Sequence, residues 1–345
     1  MLRILYLHQH FSRPEGSAPA RSFLQARALA AAGHAVTLAC GRYAGATTGL
    51  AGPFRRGRRS GAMDGFRVVE FDIPCGNAQP LPERARAFLR FAAGATALAL
   101  RGRWDAILAS STPLTVAVPA LIARRLRGTP FVFEIRDPWP ELPRAMAAMG
   151  GPPRPVLAAM GWLADAACRR AAAVVGLTEG MAATALARGA DPARVAVLPQ
   201  GADLRLFGPH VAPWRPAGVA AGDVVAVYAG AQGRANGLDL LLDAAALLRG
   251  RGVRLLLAGQ GSEAPRLAAR AAAEALPVTC LGPLPRPRLA GLLAGADLGL
   301  LCLADVPGFA EWTAPNKLAE GLAAGLPMVA NVPGRAARLL EGAGC

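Results

Sequence analysis

Lysine is almost absent from this chain of 345 residues, because Lys317 is the single lysine and the other 37 of its 38 basic residues are arginine. With 40 glycines and abundant alanine, we interpret the arginine excess partly as a codon bias. Aromatic residues make up only 6% of the chain, and we find neither a zinc-finger spacing nor a stacked aromatic motif. A nucleic-acid partner is therefore not expected.

Long hydrophobic runs and paired cysteines are also missing. The six cysteines are scattered without a C-x-x-C pair, which argues against a zinc site or a disulfide framework and fits a reducing cytoplasm. The apolar run that His8 stops is too short for a signal peptide. The longest uncharged stretch, 106–123, contains two prolines and predicts strand, loop and helix rather than a membrane span. We expect a cytoplasmic protein, with any membrane contact peripheral and on the inner face of the plasma membrane.

Positive charge is concentrated in the first part of the chain. Residues 1–210 contain 26 arginines and 13 acidic residues, a net charge of +13, whereas residues 211–345 contain 12 basic and 10 acidic residues, a net charge of +2. An anionic membrane surface is therefore a candidate partner of the N-terminal part. The alternative is a solvated arginine surface without a partner.

Short apolar runs alternate with amphipathic stretches along the whole chain, which predicts an α/β fold with two doubly wound parallel sheets. Strands are predicted at 3–7, 35–39, 66–71, 106–109, 131–134, 173–176, 195–198, 224–228, 253–257, 278–281, 298–301 and 328–330. The predicted organisation is a Rossmann-like domain at 1–207, a linker at 208–222 and a second Rossmann-like domain at 223–345, with an exposed loop at 47–62. The chain ends in Gly-Ala-Gly-Cys where another strand is expected, so we expect the second domain to be incomplete.

In open α/β sheets, ligands bind where the strands end and the next helices begin. Gly230, Gly233 and Arg234 follow strand 224–228, and Gly259 follows the next strand. Glycines let the backbone N–H groups and the helix dipole approach an anion, although a glycine turn can also serve tight packing alone.

A second candidate lies where a helix is predicted to begin, at Asn316 and Lys317. A compact ammonium suits a phosphate oxygen in a tight site, and Glu320, one turn later, could accept hydrogen bonds from two ribose hydroxyls. The alternative is a solvated Lys–Glu pair.

In the first half, charged residues lie at the carboxyl end of strand 131–134 and directly after it. These residues, together with a tryptophan, are Glu134, Arg136, Asp137, Trp139 and Glu141. They predict a polar site at the end of the strand, with a structural Arg–Asp pair as the alternative. The loop 9–17 adds His10 and Gly16.

Two longer motifs connect these features. The segment Leu198-Pro-Gln-Gly-Ala-Asp203, with Phe207, resembles the Pro-Asn-Gly-x-Asp…Phe segment of glycosyltransferase family 4, and 320–327 matches its Glu-Ala-x-Ala-x-Gly-x-Pro signature. The chain therefore resembles this family, whose members have the GT-B fold. Segments 136–141, 232–237 and 315–317 resemble its L-fucosamine (N-acetylfucosamine) transferase-like branch.

The resemblance implies two domains facing a cleft and transfer of an amino sugar, with retention of configuration, from a UDP-sugar. The implied acceptor is lipid-linked or a saccharide, in the synthesis of a cell-surface polysaccharide such as lipopolysaccharide. No metal and no cofactor besides the nucleotide sugar are implied, and the lack of an Asp-x-Asp motif agrees.

The resemblance also assigns roles to the candidate residues. The implied catalytic residues are Asp137, Glu134, Arg234 and Lys317. The implied donor contacts are Gly16, Gly230, Gly233, Arg234, Gly259, Asn316, Lys317 and Glu320, with Glu311 beside the position, Trp312, where the family has another glutamate. His10, Arg136, Trp139 and Glu141 are expected on the acceptor side. The alternatives are a nucleotide-sugar epimerase of the UDP-GlcNAc 2-epimerase type and an inactive nucleotide-binding fragment.

Overall fold

The computed structural model describes residues 1–18, 20–76, 79–220 and 222–344. The chain divides into two compact units, the first made of Met1–Arg13 and Ala18–Pro199 and the second of Pro14–Ser17 and 200–345. Each unit contains its own parallel sheet with helices between the strands, which confirms the predicted α/β fold with two Rossmann-like domains. The domain limits drawn from the sequence stay a prediction.

The sheet of the first unit has eight strands. They are β1 (Arg3–Leu7), β2 (Ala35–Tyr43), β3 (Arg58–Met63), β4 (Phe66–Cys75), β5 (Ala106–Ser110), β6 (Phe131–Ile135), β7 (Ala173–Gly176) and β8 (Val195–Val197). Their order is β3-β4-β2-β1-β5-β6-β7-β8, and every pair is parallel except β3 with β4. The strand order reverses between β1 and β5, the position where doubly wound sheets bind ligands.

Helices connect the parallel strands of the first unit. They are α1 (Arg21–Ala31), α2 (Leu81–Arg101), α3 (Ala117–Arg127), α4 (Glu141–Ala145), α5 (Arg154–Arg170) and α6 (Glu179–Ala187). Their ends follow local rules: the Thr178 side chain accepts a hydrogen bond from the Met181 N–H at the start of α6, and Gly128 ends α3 at a φ of 69°. The core beneath α1 is built from buried side chains such as Tyr6, Phe11 and Phe23.

The prediction of an exposed loop at 47–62 is wrong for its last residues, because β3 begins at Arg58. This strand forms a hairpin with β4, and Met63 pairs with Phe66 across a two-residue turn. Asp64 and Gly65 in the turn have φ values of 50° and 84°, the left-handed conformation that a tight hairpin turn of this kind requires. The Asp-Gly dipeptide was a hairpin signal in the sequence.

The sheet of the second unit has five parallel strands. They are β9 (Val224–Ala229), β10 (Val253–Ala258), β11 (Val278–Gly282), β12 (Leu298–Leu301) and β13 (Met328–Ala330). The order is β11-β10-β9-β12-β13, so the reversal falls between β9 and β12. The helices are α7 (Asp239–Leu247), α8 (Ala264–Ala273), α9 (Arg286–Ala294), α10 (Phe309–Trp312), α11 (Asn316–Ala323) and α12 (Arg335–Gly342). Within the described ranges, no helix is both long and apolar enough to cross a bilayer.

The loops after β9 and β10 touch through their backbones. The Gly230 N–H donates to the Ala258 carbonyl at 2.8 Å, and the Gln232 N–H donates to the Gln260 carbonyl at 2.9 Å. A Cβ atom added to Gly259 would lie 1.8 Å from the Gly230 carbonyl oxygen, which no side chain tolerates. Glycine is therefore required for the loops to meet.

We expect Gly259→Ala to lower the free energy of unfolding by about 3 kcal/mol, because the methyl group must displace the Gly230 carbonyl and the backbone has a φ of 143°. The matched control is Gly222→Ala, where an added Cβ meets no atom within 4 Å. Urea unfolding followed by circular dichroism measures both, and equal stabilities of the two variants would contradict the prediction.

Candidate functional site

The only lysine of the chain lies at the carboxyl end of β9. Lys317 is in the first turn of α11, and its Nζ donates to the Tyr228 Oη at 2.8 Å and lies 3.4 Å from the Asn236 Oδ1. The ammonium is also 4.2 Å from the centre of the Tyr228 ring, within the range of a cation–π contact. The Tyr228 hydroxyl in turn lies 2.7 Å from the Ala231 carbonyl oxygen. These contacts hold the ammonium at the reversal point of the second sheet.

Gly230 lies directly beside this lysine. A Cβ atom at Gly230 would be 2.8 Å from the Cε and 3.2 Å from the Nζ of Lys317. The structure therefore brings together two residues that were predicted separately, and it adds Tyr228 and Asn236, which were not predicted. A tyrosine ending an apolar strand gives no signal in the sequence that separates it from a core residue.

Removal from water lowers the pKa of Lys317 to about 8, although the nearby Cys302 and Glu320 act in the opposite direction. The ammonium thus loses its proton more easily than an exposed lysine. An anion placed beside it would restore the charged form, because opposite charge favours ionisation.

The other predicted residues of the glycine loop lie around this point. Arg234 keeps an exposed side chain, 67% accessible, with its Nε 3.8 Å from a Glu263 carboxylate oxygen. Gly233 precedes Arg234 with an extended backbone, and Gly259 contacts Gly230 as described above. The Arg234 guanidinium is therefore accessible from solvent beside the glycine loop.

Glu320 is buried and forms an ion pair with Arg286. Burial raises the pKa of Glu320, while Arg286 and Lys317 oppose that change. The guanidinium of Arg286 also lies 5.0 Å from the centre of the Phe207 ring, and its backbone N–H donates to the Gly16 carbonyl at 3.3 Å. Arg286 was not predicted, because one arginine among 37 carries no distinguishing signal.

Glu311 and Asn316 lie on either side of the turn between α10 and α11. The Glu311 carboxylate accepts hydrogen bonds from Arg338 of α12 at 3.0 and 3.1 Å. These contacts join α10 to α12 rather than to Lys317. Asn316 is the first residue of α11 and follows Pro315.

In the first unit, Glu134 is the centre of a buried hydrogen-bond network. One oxygen accepts from Arg21, at 2.9 and 3.1 Å, and from Gln25 at 2.9 Å, while the other accepts from the Ser110 hydroxyl at 2.5 Å. Arg21 also donates to the Pro199 carbonyl at 3.0 Å. Both oxygens are therefore engaged, and this geometry favours a structural role over proton transfer.

Burial alone would raise the pKa of Glu134. The positive charges of Arg21 and Arg136, with the hydrogen bonds from Ser110 and Gln25, outweigh burial and hold the pKa below its ordinary value. Glu134 is therefore ionised inside the unit.

Arg136 contacts a histidine that was not predicted as a site residue. Its guanidinium donates to the His8 Nε2 at 2.8 Å, while the His8 Nδ1 lies 3.2 Å from the Ser110 carbonyl oxygen. The hydrogen must therefore be on Nδ1. Burial, followed by the charge of Arg136, lowers the pKa of His8 well below its ordinary value. His8 ends the apolar run of β1, and a polar residue at that point was the signal for it.

Asp137 accepts a hydrogen bond from the Thr112 hydroxyl at 2.5 Å. Burial raises its pKa, although Thr112 and Arg136 partly offset the effect. Asp137 and Arg136 lie just beyond β6, next to the strand-order reversal at β1 and β5. A carboxyl group with a raised pKa in this position is suited to hold or release a proton.

Three predicted acceptor-side residues lie in different surroundings. His10 stacks on Tyr43 with ring centres 4.3 Å apart, and burial and nearby arginines lower its pKa to about 3. Glu141 forms an ion pair with Arg188, which also binds Asp165. The indole N–H of Trp139 is buried without a hydrogen-bond partner in the described part of the chain. Trp139 lines a small pocket with Asp137 and with Arg188, the partner of Glu141, whereas His10 lies toward His8, with ring centres 6.2 Å apart.

The groups around Lys317 could hold the oxygens of an anion, since an ammonium, an exposed guanidinium and the beginning of α11 lie in this region. Among the described residues, no three or more of His, Cys, Asp and Glu are grouped so that they could hold a metal ion.

We expect Arg21→Met to lower the free energy of unfolding by about 3 kcal/mol, because it leaves the buried Glu134 carboxylate without its ion partner. The control is Arg42→Met, which breaks the exposed pair with Asp72, whose side chains are 49% and 42% accessible, and is expected to change stability by less than about 1 kcal/mol. Urea unfolding at neutral pH compares them.

The Arg21 effect should also depend on pH. The folded pKa of Glu134 is lowered, so its stabilising charge is present above the unfolded pKa of about 4.3 and is lost as the pH falls through the folded value. The difference between wild type and Arg21→Met should therefore shrink in acid. A difference that grows as the pH falls would show that the carboxylate is not the group involved.

Comparison with protein families gives two adjacent matches. The glycosyl transferase 4-like domain matches residues 20–201, and the glycosyl transferases group 1 domain matches residues 223–343. None of the curated proteins matches the chain.

Many solved structures share the fold at low sequence identity. The sucrose-phosphate synthase of Thermosynechococcus elongatus has a TM-score of 0.71 at 17% identity, covering 96% of this chain and 82% of its own. Anabaena HepE, in complex with UDP and glucose, has a TM-score of 0.62 at 18% identity, covering 100% and 89%. A putative UDP-N-acetylglucosamine 2-epimerase of Listeria monocytogenes has a TM-score of 0.55 at 12% identity, covering 95% and 78%.

The family match covers more than half of the chain, and each unit contains a parallel sheet of the Rossmann-like kind found in GT-B enzymes. The chain therefore belongs to the GT-B glycosyltransferases that combine a glycosyl transferase 4-like domain with a group 1 domain.

Proposed function

We propose that this glycosyltransferase takes its sugar from a UDP-sugar and that the second unit binds the diphosphate beside Lys317. The observation that carries the proposal is the contact of Lys317 with Gly230 at the reversal point of the second sheet. A cation held against a bare backbone turn is the arrangement that binds phosphate groups. The fold similarity to HepE, which was solved with UDP and glucose, supports the same donor class.

The chemistry proposed for this site is electrostatic. As the bond from the sugar to the diphosphate breaks, negative charge grows on the departing oxygen, and fixed cations and backbone donors stabilise it. Lys317 and Arg234 supply the charges, while Asn316 and the turn at Gly233 supply donors. Gly230, whose own N–H donates to the Ala258 carbonyl, contributes the space beside Lys317 that a side chain would fill. We propose that these groups, rather than a metal ion, neutralise the charge of the leaving diphosphate.

Glu320 is proposed to receive the ribose hydroxyls of the donor. Arg286 donates a hydrogen bond to one Glu320 oxygen and would thereby orient the carboxylate. The other Glu320 oxygen would accept from the ribose hydroxyls. Gly16 and Gly259 are proposed to shape the same pocket through their backbones. Glu311 is proposed as a contact of the donor sugar, a role that requires it to leave Arg338.

In the first unit, Asp137 is the proposed catalytic group on the acceptor side, with Arg136 and His10 nearby and Trp139 and Glu141 supporting the same region. The raised pKa of Asp137 favours a group that exchanges a proton with an acceptor hydroxyl. For Glu134 we propose the positioning of Arg21 and Ser110, since its oxygens are engaged.

The finer specificity of the reaction rests on the family resemblance. We propose transfer of an amino sugar, with retention of configuration, to a lipid-linked or saccharide acceptor in the assembly of a cell-surface polysaccharide.

The net charge of +13 over residues 1–210 supports a peripheral position on an anionic membrane. Cosedimentation with vesicles containing phosphatidylglycerol should show binding at low salt that high salt removes, and no binding at low salt would end the membrane proposal.

An epimerase acting on the nucleotide sugar alone is a second candidate, favoured by the fold similarity to the putative UDP-N-acetylglucosamine 2-epimerase. Proton NMR of UDP-N-acetylglucosamine incubated with the protein but without acceptor separates the two. A new sugar epimer would identify an epimerase. A donor that stays unchanged without acceptor, and is consumed after a membrane extract with polyprenyl-linked saccharides is added, would identify a transferase.

Calorimetric titration with UDP-glucose tests the donor site. We expect Lys317→Met to weaken binding by about tenfold or more, since a charged hydrogen bond to phosphate is lost. The control is Arg251→Met, which removes an exposed cation elsewhere in the same unit. Equal losses in the two variants would show that general charge, rather than this site, attracts the nucleotide.

The same titration has an expected pH dependence. Lys317 binds a phosphate only when protonated, and its pKa is about 8, so wild-type affinity should fall as the pH rises through about 8. Lys317→Met should remove that dependence between about pH 6.5 and pH 9, where the phosphates of a nucleotide sugar do not change charge. A wild-type affinity that stays constant over this range would contradict the role of Lys317.

A further inference from the structure

The first unit contains a cavity of about 510 Å³ at the carboxyl ends of β2 and β4. Its walls include Tyr43 at the end of β2, Thr48 in the segment that follows, Arg59 of β3 and Glu70 of β4. The volume is in the range of small-molecule sites, about 300 to 1000 Å³. None of the residues assigned to the donor site or to the Asp137 region forms its walls.

Glu70 is the buried polar centre of this cavity, and its residue surface is 5% accessible. One carboxylate oxygen accepts from the Thr48 hydroxyl and from the Arg59 Nε, both at 2.7 Å. Arg59 also donates to the Gly52 carbonyl at 3.2 Å. The Glu70 carboxylate is therefore held in one position. Its burial costs desolvation free energy and adds no apolar packing to the core.

The charges in the walls compensate one another. Glu70 neutralises Arg59, and Arg42, the other cation of the wall, pairs with Asp72 at 2.7 Å. Both cations of the wall are thus paired with carboxylates, and an anion entering the cavity would lie close to the fixed carboxylate of Glu70. One further positive charge, Arg84, which is not part of the wall, acts on Tyr43 and Cys75. A neutral ligand with many hydroxyl groups fits better, because such groups can donate to Glu70 and accept from the arginines.

An aromatic wall and an amide complete the cavity. The half-buried Tyr43 ring is held by stacking on His10, with ring centres 4.3 Å apart, and it offers an apolar face beside the polar groups. The Gln79 side chain is fixed because its Oε1 accepts from the Gly76 N–H at 3.0 Å. A fixed aromatic ring among hydrogen-bonding groups matches a pyranose, which has both apolar C–H faces and an equatorial rim of hydroxyls.

The end of β2 is built irregularly at this cavity. The pairing of β2 with β4 shifts between Cys40 and Arg42, and a Cβ atom at Gly41 would lie 3.2 Å from the Ile73 carbonyl oxygen. Behind Gly41 lies the wholly buried Gln9, neither of whose amide atoms has a hydrogen-bond partner in the described part of the chain. Strand irregularities of this kind commonly shape binding sites.

We propose that this cavity binds a neutral glycosyl unit of the acceptor. The identification of the ligand as acceptor rests on the proposed function, whereas the saccharide binding itself rests on the cavity. The acceptor would then be recognised through a sugar residue by Glu70, Thr48 and Tyr43, separately from the nucleotide.

Saturation-transfer NMR on the full chain without nucleotide tests the proposal. The probes are methyl β-D-glucopyranoside and N,N′-diacetylchitobiose, with inorganic pyrophosphate as an anionic competitor. We expect transfer to at least one sugar that pyrophosphate does not displace. Glu70→Gln should reduce the transfer at least about fivefold, because the charged acceptor is lost, and Ala46→Trp should do the same by filling the cavity. Glu83→Gln, an exposed acid in the first turn of α2, should leave it unchanged.

Three outcomes would overturn the proposal: no transfer to either sugar in the wild type, displacement by pyrophosphate, or folded Glu70→Gln and Ala46→Trp variants that both bind like the wild type. Circular dichroism melting establishes which variants fold. If Glu70→Gln does not fold, Ala46→Trp alone tests whether the cavity binds the sugar. UDP-glucose titration of the same samples separates the two proposals. Sugar binding without nucleotide binding would reject the donor proposal alone, and nucleotide binding without sugar binding would reject the cavity alone.

Discussion

The backbone contact between Gly230 and Gly259 is the constraint on which the second unit's site depends. It exists because parallel strands β9 and β10 end side by side and because neither glycine has a side chain. The turn after β9 is thereby packed against the turn after β10. Lys317 lies across it and donates to the Tyr228 hydroxyl. A larger residue at either glycine would separate the turns, and the ammonium would lose the surface on which it is held. Charge placement in this unit is therefore a consequence of backbone packing.

In the first unit, a buried carboxylate rather than a backbone contact holds the polar groups in place. Glu134 joins α1, through Arg21 and Gln25, to β5, through Ser110, and Arg21 extends the network to the segment after β8. With Glu134 satisfied in this way, Arg136 is directed to His8 and Asp137 to Thr112. Both units thus place their polar groups where the strand order reverses, although the means of holding them differ.

The periodicity of apolar residues located the elements well, and each of the twelve predicted strands overlaps an observed one. β3 was missed because its sequence, Arg-Arg-Ser-Gly-Ala-Met, is polar and glycine-containing, and pairing with β4 rather than intrinsic preference makes it a strand. The rule that ligands bind beyond strand ends pointed to Gly230 and to Lys317 as two separate candidates, and only the tertiary structure placed them side by side. The rule could not show that Glu134 is enclosed or that Glu141 pairs with Arg188, since these depend on neighbours distant in sequence.

The sequence by itself determined the alternation of strands and helices, the two parallel sheets and the family, because these follow from local periodicity and from ordered motifs. Only the tertiary structure decided which polar residues meet. Tyr228 beside Lys317, Arg286 beside Glu320 and His8 beside Arg136 join residues 34 to 128 positions apart. Such contacts arise from strand order and from the depth at which each side chain is buried, and neither can be read from local patterns. The same reason explains why the cavity around Glu70, lined by residues of three strands and of the segments that follow two of them, had no counterpart in the motifs.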